Sequence, residues 1–184
     1  AVPAGYVGQV LNVKGLVGGH SGMDIILYRA NANKVMTRAL LPLLRDLDAR
    51  LVSVEGGNMR NAIPREAVAV IAVPADKLEA AKAVVAKVEA EVKVEYAATD
   101  KDAKVYLEDA PLAAEAIEQK VALNLCKALY GCPSGVERMS DAMPGLVETS
   151  NNMAIVKSEN GTISVHSLMR SSVDTAKDDL AEKM

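Results

Sequence analysis

Between Gly5 and Leu107 the apolar residues alternate between a spacing of about two and a spacing of about 3.6, in an order that few folds accommodate. Val7, Val10, Leu11, Val13 and Leu16 predict a strand over Gly5–Leu16. From Asn31 the pattern turns helical, with Val35, Met36, Ala39, Leu40, Leu43 and Leu47 on one stripe and Pro42 predicting a kink inside it. A strand over Arg50–Glu55 stops at the turn formers Gly56-Gly57-Asn58. Ala67–Val73 is near-continuously apolar and reads as a buried strand. Asp76 and Glu79 have the spacing of a capping box ahead of a helix carrying Leu78, Ala81, Val85, Val88 and Val92. Lys104–Leu107 closes the series as a strand. The order is βαββαβ, which predicts a ferredoxin-like sandwich over residues 5–109.

The remaining residues, 110–184, predict an extension of the same domain. Pro111 suits the first position of a helix bearing Leu112, Ile117, Val121, Leu125 and Leu129, ended by Gly131. Cys132–Gly145, with two Pro and two Gly, reads as a loop. Val147–Lys157 and Thr162–Arg170 form a hairpin around Asn160-Gly161, and Ser172 would cap a last helix with Val173, Ala176 and Leu180. The fold class expected is therefore α+β, a mostly antiparallel sheet with helices on one face, extended by a helix, a hairpin and a C-terminal helix.

Composition removes several function classes. The chain has no Phe, no Trp and a formal net charge of -3, which suits neither base stacking nor phosphate tracking, so no nucleic-acid partner is expected. No apolar run approaches the roughly 20 residues that span a bilayer, and no membrane role is expected. Cys126 and Cys132 fit neither a redox pair nor a zinc knuckle and read as reduced thiols in a cytoplasmic protein. The chain opens without Met and closes inside a helical pattern, which reads as a piece of a longer polypeptide. Met139, Met143, Met153 and Met169 read as interior gap-fillers.

The chemistry-bearing features are sparse. Only His20 and His166 are present, too few for a catalytic zinc held in the usual way, so no metal site is expected on this chain. His166 reads as a strand residue on a polar face. Ser21 beside His20 lacks a third partner for a triad, and the run Gly18-Gly19-His20-Ser21-Gly22 lacks the lysine and spacing of a phosphate loop. By composition the run is either a structural turn with an incidental imidazole or a loop that brings a working one to a ligand.

Three stretches resemble one family. Val-Lys-Gly-Leu-x-Gly-Gly-His-Ser-Gly over residues 13–22, followed by Arg29-Ala30-Asn31-Ala32-Asn33, is the first. The second is Gly56-Gly57-Asn58-x-Arg60-Asn61-Ala62-Ile63-Pro64-Arg65-Glu66-Ala67. The third comprises Glu148-Thr149-Ser150-Asn151-Asn152 and Leu168-Met169-Arg170-Ser171-Ser172. Together they look like the lid, or dimerisation, domain of the aminoacyl-histidine dipeptidases, here spanning residues 1–184 as one domain.

That resemblance implies a parent enzyme hydrolysing Xaa-His dipeptides, carnosine-like ones included, with two zinc ions held by a catalytic domain of the same polypeptide. It implies that His20 stabilises the oxygen of the tetrahedral intermediate, that Asn61 helps to hold the substrate, and that Arg170 grips the substrate carboxylate. A homodimer, paired through an exposed sheet edge or the first helix, is expected with or without that resemblance. One departure stands out: simpler relatives carry Asp-x-Arg where this chain has Ile71-Ala72-Val73-Pro74, so the carboxylate role passes to Arg170, whose bland alternative is an exposed arginine at a strand end. The competing function class is a non-enzymatic ferredoxin-like module that binds a ligand or dimerises.

Overall fold

The computed structural model describes all residues, 1–184. In chain order it contains strand β1 (Tyr6–Lys14), the two-residue β2 (Gly19–His20), helix α1 (Ala32–Asp46), β3 (Arg50–Gly56), β4 (Ala62–Ile63), β5 (Ala67–Pro74), α2 (Leu78–Glu95), β6 (Lys104–Ala110), α3 (Gln119–Gly131), β7 (Gly135–Met139), β8 (Val147–Glu159), β9 (Thr162–Ser171) and α4 (Asp174–Glu182). The main sheet runs β6-β1-β5-β3-β8, antiparallel throughout, and its first four strands have the ferredoxin-like order. β8 continues that sheet through Glu55↔Lys157 and Gly56↔Val156. It pairs along its length with β9 and through its first half with β7, so β7 and β3 share one of its edges and β9 holds the other.

The core lies between this sheet and the helices. Leu11, Val13, Leu51, Ile71 and Val73 from the strands meet Met36, Leu40 and Leu43 of α1 and Val85 and Val92 of α2. Helix α1 packs against both α2 and α3. It begins where the pattern predicts because the Asn31 side chain accepts from the N–H groups of Asn33 and Lys34. The helix continues past Pro42 to Asp46, with the proline offering no N–H to the preceding turn.

Several local predictions are corrected by tertiary contacts. Pro111 does not start a helix. β6 extends to Ala110 opposite Gly8, and the chain then crosses the sheet end, with Val2 N–H donating to Ala114 O and Ile117 N–H to Leu51 O. Helix α3 starts only at Gln119, behind a cap from Glu118. Cys132–Gly145 is not all loop, because the free half of an edge of β8 recruits Gly135–Met139 as β7 across two register shifts. Neither Asp76 nor Ser172 caps a helix; α2 is entered through a 3₁₀ turn at Ala75–Lys77, and Ser171 Oγ, not Ser172, accepts from Val173 N–H. Of the four methionines taken as gap-fillers, Met153 is fully buried, while Met143 is 52% exposed. The Asn160-Gly161 turn forms as expected, with φ of 51° and 73°.

Candidate functional site

His20 sits on a two-strand ribbon set apart from the main sheet, in which Gly19 faces Ile63 and His20 faces Ala62. One residue further on, Ser21 N–H donates to Asn61 O at 2.9 Å, so Asn61 lies beside the His20 turn. The ribbon is tied to the C-terminal hairpin by Asn152 of β8. Its Nδ2 donates to Arg60 O at 3.2 Å and Ala62 O at 2.8 Å, on either side of Asn61. Asn152 pairs with Leu168 and Ser150 pairs with Arg170, so Asn152 and Arg170 lie on the same face of the hairpin.

The hairpin thus delivers Arg170 to His20. The point where a Cβ on Gly22 would stand is 3.1 Å from His20 Cε1, 3.3 Å from His20 Nδ1 and 3.3 Å from Arg170 Nε. A side chain at residue 22 would fill the gap between imidazole and guanidinium. The three residues predicted from sequence, His20, Asn61 and Arg170, are therefore brought together, although they come from positions far apart in the chain. His20 is half-buried; Asn61 and Arg170 are exposed. His166 lies on β9 opposite Ile155, exposed.

The imidazole is oriented by its own turn. Gly22 N–H and Met23 N–H both donate to His20 Nδ1 at 3.1 Å. Those two donors require the Nδ1 lone pair, so the ring proton of the neutral imidazole resides on Nε2, which is left to donate outward. The backbone is held too: His20 N–H donates to Asp24 Oδ2 at 2.7 Å, Asp24 pairs with Arg29 at 3.6 Å, and Arg29 Nη1 donates to Gly18 O at 2.7 Å.

Gly19 makes this packing feasible. Its φ is 143°, and a Cβ there would lie 2.5 Å from Arg29 Nη1 and 2.6 Å from Asp24 Oδ2. Gly19→Ala is expected to cost about 1–3 kcal/mol of stability through strain and the broken Asp24–Arg29 contact. Urea unfolding of the chain checks this, and an unmoved midpoint would contradict it.

Asp24 and Asn152 escaped the sequence reading as functional residues. Asn152 carried a signal, since paired asparagines running straight into the apolar Met153–Val156 read as buried polar groups that need partners. Asp24 carried none, because it meets His20 through a backbone N–H, which no residue type announces.

No group of three or more His, Cys, Asp or Glu side chains comes together in the chain. The residues present do not fit a zinc cage. A hollow of about 620 Å³ lies beside the ribbon and is lined by Lys14, Gly18, Glu55, Ile63 and Arg65 among others, but not by His20, Asn61 or Arg170. An exposed guanidinium and a half-buried imidazole around Gly22 form an open face, which needs a second surface to become a pocket. Cys126 is buried, which pushes its thiol up to about 11 and leaves it a core residue rather than a nucleophile. No helix is long and apolar enough to cross a membrane.

Residues 11–100 match the family model described as peptidase dimerisation domain. The chain is 40% identical, over 97% of its length, to the cytosol non-specific dipeptidase of Escherichia coli (strain K12). It superposes on the crystal structure of aminoacylhistidine dipeptidase from Vibrio alginolyticus with a TM-score of 0.95 and 37% identity, over 99% of this chain. It spans 37% of the length of each of these two relatives.

Proposed function

We propose, from the match of residues 11–100 to the peptidase dimerisation domain and the likeness of nearly the whole chain to two dipeptidases, that residues 1–184 are the lid of a dipeptide hydrolase, with residues 5–109 as its core and 110–184 as an extension. The lid supplies substrate-binding groups to a centre completed by a catalytic domain of the same polypeptide. His20 donates from Nε2 to the oxygen that becomes negative as water adds to the peptide carbonyl. Arg170 holds the substrate's C-terminal carboxylate with parallel hydrogen bonds, and Asn61 steadies the backbone between them.

The observation that carries this reading is the meeting of His20 and Arg170 at Gly22, from opposite ends of the chain. A donor with its second nitrogen already committed, beside a guanidinium that bonds no group of its own chain, is suited to an anion and a developing oxyanion a few ångströms apart. In this proposal two zinc ions belong to the catalytic domain, the substrates include Xaa-His dipeptides such as carnosine, and the enzyme is cytoplasmic.

Pairing of two copies runs along the free edge of β9. The opposite edge, β6, carries Lys104, Glu108 and Asp109 and is followed by Pro111, all of which discourage strand addition. The first helix is a poor alternative, since α1 is packed between α2 and α3.

The purified chain, given zinc and carnosine, is expected to release no histidine. Turnover by this polypeptide alone would sink the division of labour between lid and centre.

A further inference from the structure

Resting on the reading of His20 as the oxyanion donor, we propose that Asp100 is a positioning residue for it, acting as a staple that closes the His20 loop at both ends. Asp100 is fully buried. Its Oδ1 accepts from Val17 N–H at 2.8 Å and its Oδ2 from Ala30 N–H at 2.9 Å. Those two amides are the entrance and exit of the segment that carries His20. The aspartate itself is fixed to the scaffold: its N–H donates to Tyr96 O beyond the end of α2, and its carbonyl accepts from Ala103 N–H ahead of β6.

The loop needs such a staple. Gly18, Gly19 and Gly22 flank the imidazole, and a glycine-rich segment spreads over many backbone states unless it is tied. The Arg29 and Asp24 contacts bind the loop to itself; Asp100 binds it to the core. Distance alone hides the connection, since Asp100 is 80 positions from His20 in the chain.

A carboxylate is required because both partners donate. The amide of an asparagine would meet one N–H with its oxygen and the other with its own NH₂, so Asp100→Asn keeps the volume and opens one end of the staple. Displacing a catalytic donor by a fraction of an ångström acts on the rate more than on binding.

The test is a double-mutant cycle in the full-length dipeptidase, with folding checked by circular dichroism. Asp100→Asn is expected to lower kcat about tenfold or more with KM changed by less than about threefold. In a His20→Ala background the same substitution is expected to change kcat by less than about twofold, because the group it positions is gone.

Equal losses in both backgrounds overturn the proposal for Asp100 and leave the role of His20 standing. An unaltered kcat in His20→Ala alone overturns the oxyanion reading and the positioning role with it. Should Asp100→Asn fail to fold, hydrogen exchange of the unmodified protein decides. Val17 and Ala30 amides are expected to exchange about 10²-fold or more slowly than unbonded loop amides, and exchange at the unprotected rate overturns the staple.

Discussion

Replacing His20 by Ala in the intact dipeptidase is expected to lower kcat by about 10²–10³-fold while KM moves only a few-fold. In the proposed role the ring is oriented in advance. Gly22 and Met23 N–H groups occupy Nδ1, so Nε2 is a donor whose direction is set before substrate arrives. A donor held in this way is worth most where negative charge appears, in the transition state, and little in the ground-state carbonyl; the loss therefore falls on kcat. Steady-state kinetics on a dipeptide with the metal content held equal decides the matter. An unaltered kcat would remove His20 from the chemistry.

Arg170→Ala is the second large effect, and its signature differs. A guanidinium that bonds a carboxylate in both ground and transition states contributes uniform binding, so kcat/KM is expected to fall about 10²-fold, mostly through KM. Arg170→Lys is expected to recover only part of this, because an ammonium cannot match both carboxylate oxygens at once. The sharper check uses substrate rather than protein. The unmodified enzyme is expected to prefer a dipeptide with a free carboxylate to its C-terminal amide, and Arg170→Ala is expected to lose most of that preference. If the preference persists undiminished, Arg170 does not bind the carboxylate. The result also separates the two residues, since His20→Ala leaves the carboxylate preference intact.

Much of this architecture is legible along the chain because it is local. The helical stripe from Val35 to Leu43 and the partial alternation in β1 report which face of each element is buried, and the unbroken apolar run of β5 reports a strand covered on both sides, because an element's pattern is a property of neighbouring residues. The Asn160-Gly161 hairpin and the Asn31 cap are equally local. Predictions failed where a distant partner outbid a local preference. Pro111 is an adequate helix start, yet hydrogen bonds from Val2 N–H to Ala114 O and from Ile117 N–H to Leu51 O hold the chain on a non-helical path past it. The residues of β7 have little strand character of their own and become a strand because β8 offers unpaired groups.

The candidate site divides in the same way. His20 and Asn61 stand in recognisable motifs, and the glycines around His20 mark a loop meant for close approach. Which glycine does what is a tertiary matter: Gly19 makes room for Arg29 and Asp24, and Gly22 leaves the gap into which His20 and Arg170 converge. The sequence by itself therefore determined the βαββαβ core, the hairpin and the residue types able to meet an anion, since periodicity, capping and side-chain chemistry are carried by short stretches. Only the tertiary structure decided that His20 and Arg170 meet at Gly22, that Asn152 clamps the ribbon, and that Asp100 ties down the loop, because each depends on contacts between segments far apart in the chain, and no local pattern encodes which donor a distant acceptor will find.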